Sequence, residues 1–243
     1  MFFDLHVHTE GLGLSDLKRM RESGVSGICS LYFYPIKPLF PQTMIDGFRR
    51  LEEFESFRCS ILGIEIFPAV GIHPRCIPLD YKTVLEHLEA NDWLAFGEIG
   101  LEIASDVERE VFRRQLEIAI EKDTACVIHT PSKNKREITE KTLEILRKLD
   151  FPGDLAVIDH VNFENLDLIE KSDFWIGLTV QLGKLSSEEA VRIVEKIGGD
   201  RCIVDSDAGF GDSVVTTVAE TAKILGSEAK KVCFGNAKKF LGV

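Results

Sequence analysis

Short runs rich in apolar, β-branched and aromatic residues alternate along this chain with longer stretches in which apolar positions recur every three or four residues. The runs lie at 2–8, 27–34, 66–73, 94–101, 124–130, 155–160, 174–180 and 202–207. Each has the length and content of a strand buried on both faces. The stretches between them read as amphipathic helices. In 106–122, Val107, Val111, Phe112, Leu116, Ile118, Ala119 and Ile120 form an apolar stripe, and in 135–149 Ile138, Leu143, Ile145, Leu146 and Leu149 do the same. Strands that alternate with helices pair in parallel, and helices must cover both exposed faces of such a sheet. Eight such units in 243 residues predict a (β/α)8 TIM barrel spanning 1–243 as one domain, with an extra C-terminal helix around 227–241. The alternative, a doubly wound open sheet, needs a glycine-rich phosphate turn after the first strand, and none follows 2–8.

A barrel places its functional groups at the C-terminal ends of its strands. That is where this chain keeps its metal-competent side chains. The first run ends in His6-Val7-His8, the third in Gly71-Ile72-His73-Pro74, the fourth in Gly97-Glu98-Ile99-Gly100, the fifth in His129, the sixth in Asp159-His160 and the eighth in Asp205-Ser206-Asp207. Five of the six histidines belong to this set, whereas His87 lies in the helical run 80–90 and reads as a surface residue. Alternation along a strand turns Asp4, His6 and His8 to one side, so two imidazoles can share one cation. Any one of these residues alone has a plain structural reading, such as a hydrogen-bonded core histidine or a helix-capping carboxylate. Their gathering at one end of eight strands is what points to a site.

Composition narrows the classes. With 44% hydrophobic and 28% charged residues the chain has the balance of a globular enzyme, which excludes disorder. No apolar run approaches the roughly 18 residues of a membrane span, and no basic-then-apolar leader opens the chain, so a cytoplasmic protein with no membrane partner is expected. The six cysteines form no C-x-x-C pair, and Cys29, Cys126 and Cys202 sit inside apolar runs, as buried thiols of a reducing compartment do. A net charge of −11 opposes broad adhesion to nucleic acid, so no stable nucleic-acid partner is implied. Oligomeric state has no signature here.

Imidazole nitrogens and carboxylate oxygens suit Zn²⁺ first, with Mn²⁺, Fe²⁺, Ni²⁺ or Mg²⁺ as alternatives, and a carboxylate can span two ions. One or two divalent ions are expected. His6, His8 and Asp207 would hold one, His129 and His160 the other, with Glu98 between them. Such ions activate water, so hydrolysis is the predicted reaction, with Asp207 as general base. Asp205 and Asp207 are two residues apart and both can face the barrel axis, so spacing alone does not choose between them.

The ordered set His6-Val7-His8, Gly71-Ile72-His73-Pro74, Gly97-Glu98-Ile99-Gly100-Leu101-Glu102, Ile128-His129, Asp159-His160, Asp205-Ser206-Asp207 and Gly235-Asn236-Ala237-Lys238-Lys239-Phe240-Leu241-Gly242 resembles the TatD-like metal-dependent hydrolases of the amidohydrolase superfamily. The resemblance runs the length of the chain. It implies a TIM barrel and phosphodiester hydrolysis of the deoxyribonuclease or exonuclease kind. By motif position His6, His8, Glu98, His129, His160 and Asp207 would be the ligands, His73 would sit near substrate, and Asp205, which stands where the family has glutamate, would orient a histidine or a substrate group from behind.

Three positions depart from that pattern: Pro131 stands where members often have arginine, Val161 where they often have cysteine, and Ala208-Gly209 where a proline usually follows the last aspartate. The basic cluster comes later, and Lys133, with Lys135 and Arg136 beside it, is the candidate phosphate contact. The segment 33–41, with three prolines and three aromatics, reads as a substrate lid, a dimer contact or a packed loop. Two substrate classes follow. One is a nucleic acid or small phosphoester; the other is a metabolite hydrolysed at a C–N or C–O bond, as an amide, lactone or ester.

Overall fold

The computed structural model describes residues 1–211 and 214–243. Eight parallel strands follow one another in chain order: β1 (Phe2–Val7), β2 (Val25–Leu31), β3 (Glu65–Val70), β4 (Ala95–Gly100), β5 (Ala125–His129), β6 (Ala156–Ile158), β7 (Trp175–Thr179) and β8 (Cys202–Asp205). The sheet then returns on itself. Val7 pairs with Ala208, the His8 amide donates to the Ala208 carbonyl at 2.7 Å, and the Ser206 amide and hydroxyl donate to the Asp4 carboxylate at 3.0 and 2.6 Å. The predicted (β/α)8 barrel is the fold.

The helices form where the apolar spacing predicts them. One spans Asp106–Lys122, and it buries Val111, Phe112, Leu116, Ile118 and Ala119, while Val107 and Ile120 at the edges of the stripe are exposed. Another spans Lys135–Lys148. The helix Ser187–Ile197 starts on a capping box: the Glu189 amide donates to Ser186 Oγ at 3.2 Å and the Ser186 amide to Glu189 Oε2 at 2.9 Å. His87 does lie on a helix, Tyr81–Ala90, but its ring is half-buried against Phe48 and Trp93, at centroid distances of 6.2 and 6.0 Å, and is not a free surface group.

The core has an inner and an outer part. Phe3, Leu5, Leu31, Val127, Val157 and Ile203 pack together, and Ala237, Phe240 and Leu241 of the C-terminal helix close over them beside Trp175. That helix is fastened by Asn236, whose Nδ2 donates to the carbonyls of Gly199 and Cys202, both at 2.7 Å, at the start of β8. The bottom of the barrel is thereby plugged with apolar side chains, and the polar groups are left to the opposite mouth.

Every strand ends short of its predicted run at that mouth. β6 ends at Ile158 and β8 at Asp205, so His160 and Asp207 stand just beyond the ladder, at φ of +57° and +48°. Left-handed backbone is costly for residues with a Cβ and persists only where its surroundings enforce it. Here the bends carry both side chains inward. β1 is also irregular: its register against β2 shifts between Phe2 and Phe3 and again between Asp4 and Val7. The simple alternation expected for Asp4, His6 and His8 is therefore broken, and the Asp4 carboxylate turns to Ser206 instead of joining the two histidines.

Candidate metal centre

His6 and His8 are held from behind in the way that frees one nitrogen of each. His6 Nδ1 donates to Asp159 Oδ2 at 2.5 Å, and His8 Nδ1 donates to the Leu31 carbonyl at 2.7 Å. A neutral imidazole with hydrogen on Nδ1 keeps its lone pair on Nε2. The two Nε2 atoms lie 3.0 Å apart, and Asp207 Oδ1 is 3.4 Å from the first and 3.1 Å from the second. Donors about 2.0–2.1 Å from a tetrahedral ion stand about 3.3 Å from each other. The triangle thus has the dimensions of one face of a coordination sphere, and its residue types fit a divalent cation.

Glu98 joins this triangle to a second group. Its Oε2 lies 3.6 Å from His6 Nε2 and 3.9 Å from His8 Nε2, while its Oε1 meets His129 Nδ1 at 2.5 Å and His160 Nε2 at 2.8 Å. All six predicted ligands are brought together, each buried. Behind the second group, Glu102 Oε2 is 2.9 Å from His129 Nε2, and Thr179 Oγ1 is 2.8 Å from His160 Nδ1.

Charges in this pocket are set by their neighbours. Burial opposes a charge on His6, yet the Asp207 and Glu98 carboxylates and the Asp159 hydrogen bond raise it to about 10. Burial also opposes ionisation of Asp207, but the His6 charge, the His8 hydrogen bond and the Lys184 ammonium hold it far below the usual carboxylate range. Glu98 is held low by His129, His6 and His73 against the same burial. His160 moves the other way: burial, then the Lys184 charge, push it down to about 4, so it is a neutral donor at ordinary pH.

His73 faces the cavity as a donor. Its Nδ1 accepts from the Arg75 amide at 3.0 Å, which leaves the hydrogen of the neutral ring on Nε2, 3.5 Å from Glu98 Oε2. Burial lowers its pKa well below the ordinary value and keeps the ring neutral. With its Nε2 hydrogen turned to the cavity, the ring is placed as a hydrogen-bond donor there.

Two expected roles move. Asp205 is fully buried, and no histidine hydrogen-bonds to its carboxylate among the described residues, so it orients none of them. Asp159 does that work. Its Oδ2 takes His6, its Oδ1 accepts from the His160 amide at 2.8 Å, and Gly177 leaves the space, since a Cβ there would stand 2.2 Å from Asp159 Oδ1. Lys133 is exposed and does not line the cavity above the ligands. Its neighbours are engaged elsewhere: Lys135 is buried, with Nζ donating to the His160 carbonyl at 2.8 Å, and Arg136 forms a fork on Asp167 at 2.7 and 2.8 Å.

The cavity measures ≈ 390 Å³. One wall is aromatic: Phe33 packs against His73 at 5.0 Å, Phe210 at 5.4 Å and His8 at 5.5 Å. The first part of segment 33–41 is therefore a wall of the site, while Ile36, Leu39 and Phe40 are exposed. The cations that reach the cavity are Arg75, after β3, and Lys184, after β7, neither singled out by the sequence. Lys184 Nζ donates to Asp207 Oδ2 and lies 3.1 and 3.4 Å from the two ring nitrogens of His160.

Replacing Asp159 by asparagine is expected to weaken binding of the ion held by His6, His8 and Asp207 by about 10- to 100-fold, the usual cost of losing a carboxylate behind a ligating histidine. Competition with a chromophoric chelator measures this. An unchanged dissociation constant would show that Asp159 does not orient His6.

Comparison with known proteins completes the description of the site. The family described as TatD related DNase matches residues 3–241. An uncharacterized metal-dependent hydrolase of Methanocaldococcus jannaschii is 33% identical over 248 residues, which cover 98% of each chain. Another from Bacillus subtilis is 26% identical over 159 residues, covering 60% of this chain and 59% of that protein. The crystal structure of a TatD-like protein from Archaeoglobus fulgidus superposes with a TM-score of 0.91 at 51% identity, over 100% of both chains.

Proposed function

The chain belongs to the TatD related DNase family, and on that premise we propose that it is a metal-dependent hydrolase that cleaves phosphodiester bonds with one or two divalent cations, Zn²⁺ first among them. The observation that carries this is the meeting of His6 Nε2, His8 Nε2 and Asp207 Oδ1 within 3.0–3.4 Å, with Glu98 spanning from them to His129 and His160. Bound ions would lower the pKa of water and stabilise charge on phosphoryl oxygens. The side chains do the rest. Asp207, kept ionised by its neighbours, accepts a proton from water as the new P–O bond forms, and returns it to the alkoxide as the old P–O bond breaks. The His73 Nε2 hydrogen and the Arg75 and Lys184 cations are aimed at the cavity, where an anionic group would lie. Phe33 and Phe210 offer a planar ring a wall to pack against.

The described residues contain no helix long and apolar enough to cross a membrane. The six free, buried cysteines support a reducing, cytoplasmic setting.

Metal-loaded protein should cleave single-stranded DNA and bis(p-nitrophenyl) phosphate, and a strong chelator should stop both reactions. Failure to cleave either substrate at any salt concentration, with turnover of a cyclic amide or lactone, would replace this reading with C–N or C–O hydrolysis. The small cavity and the two isolated cations at its mouth accommodate that second reading as well.

A further inference from the structure

The two halves of the ligand set are prepared for a cation to different degrees, and we propose that Lys184 sets this difference: the ion at His6, His8 and Asp207 binds tightly and first, while the ion at Glu98, His129 and His160 binds weakly because a fixed ammonium stands against its site. This rests on the metal-dependent reading above. The first set is supported wholly from outside. Asp159 and the Leu31 carbonyl take the Nδ1 hydrogens, so the two Nε2 atoms and a carboxylate oxygen face one another across 3.0–3.4 Å. Such a cluster needs a positive charge at its centre, and a cation supplies it in place of the proton that His6 otherwise holds.

The second set is already bonded to itself. Glu98 Oε1 lies 2.5 Å from His129 Nδ1 and 2.8 Å from His160 Nε2, and Glu102 Oε2 takes the other nitrogen of His129 at 2.9 Å. An ionised carboxylate only accepts, so these nitrogens carry hydrogens that an ion must displace. The one carboxylate of this set, Glu98, is also shared with the first ion's residues.

Lys184 adds a charge to this asymmetry. Its Nζ donates to Asp207 Oδ2 and stands 3.1 Å from His160 Nδ1 and 3.4 Å from His160 Nε2, inside the shell that an ion on His160 would occupy. The backbone that carries the lysine is held in place. Its loop is closed by the Lys184 amide donating to the Gln181 carbonyl at 2.9 Å, by the Gln181 amide donating to the Leu185 carbonyl at 3.1 Å, and by Gln181 Nε2 donating to the Asp207 carbonyl at 3.0 Å. The ammonium compensates the Asp207 carboxylate while repelling a dication at the second position.

The test is a titration of the metal-stripped full chain with Mn²⁺, following the free ion by electron paramagnetic resonance and the bound ion by elemental analysis. Wild-type protein should take one ion per chain tightly and a second about 100-fold more weakly or worse, given one repelling charge a few ångströms from a dication. Lys184→Met should leave the first step within threefold and narrow the gap by tenfold or more, with a spin-coupled manganese pair at lower concentration. Lys184→Arg, which keeps the charge, should behave as wild type. Two steps of equal affinity in the wild type, or an unchanged gap in Lys184→Met, would overturn the proposal. Should Lys184→Met lose the first step as well, Lys184→Gln takes its place under the same criteria. No binding of either ion by wild type would instead overturn the metal-dependent reading itself.

Discussion

Asp207→Asn is expected to lower kcat by about 10²- to 10⁴-fold, the range that a positioned general base contributes, while most of the bound metal is retained. The asparagine carbonyl can still fill the corner 3.1–3.4 Å from the two Nε2 atoms, but the amide cannot accept a proton from water. Asp205→Asn is the control, and its effect should stay below about tenfold, because no catalytic proton transfer is assigned to it. Asp205 makes no hydrogen bond to a histidine among the described residues, and burial, helped by the Asp159 charge, raises its pKa well above the ordinary value, so an amide of the same shape disturbs the site little. Steady-state kinetics with a chromogenic phosphodiester and ion content by elemental analysis measure both. Equal losses in the two variants would sink the assignment of Asp207 as the base.

The contrast between these two aspartates shows what periodicity can resolve. Residues two apart in a strand are equivalent by alternation, and only the bend beyond β8, where Asp207 takes φ of +48°, turns one carboxylate to the histidines and leaves the other in the barrel interior. Asp159 is the converse case. It precedes His160, and alternation would send the two side chains to opposite faces, yet β6 ends at Ile158 and His160 adopts φ of +57°, so both reach the site. A two-residue period describes a strand and fails where the strand stops, which is where a barrel keeps its chemistry.

The eight strands, the helices 106–122 and 135–148, and the gathering of the six candidate ligands at one mouth were legible because each rests on a repeat or on a residue type at a strand end. Lys184 and Arg75 were not. A lone cation in a polar loop has no periodicity, and its direction depends on turn geometry, here the tight turn through Gly183 at φ of +81°. The same gap misdirected the expectation for Lys133. Three cations within four residues suggest a phosphate contact, but the turn into the helix Lys135–Lys148 sends Lys135 into the interior, Arg136 to Asp167 and Lys133 to solvent.

Metal removal should expose the electrostatics of the site as a pH-dependent loss of stability. In the metal-free protein, His6 titrates near 10, against an ordinary 6.5. A histidine raised in this way stabilises the fold fully below its unfolded pKa, about 6.5, and that contribution disappears as pH climbs through the folded value. Asp4, raised to about 6 by burial, acts in the same sense at lower pH. The depressed groups act elsewhere. Glu98 and Asp207 lose their contribution only as pH falls below the ordinary carboxylate range, and His160, lowered to about 4, gives a rise that is complete by about pH 7. Between pH 7 and 8 the metal-free chain should therefore lose roughly 1 kcal/mol through His6; above that, Lys135, lowered to about 8 by burial, acts in the opposite sense, while the buried thiols, raised by burial, add to the loss. Ion binding replaces the His6 proton, so it should release close to one proton at pH 7.5, and affinity should increase with pH. At 100 times the dissociation constant the ion adds about 2.7 kcal/mol. Thermal melts with and without Zn²⁺ across this range, with proton release followed in weakly buffered dye solution, give both quantities. A metal-free melting temperature independent of pH from 7 to 8, with no protons released on binding, would mean that His6 is not the charged centre around which the carboxylates are arranged.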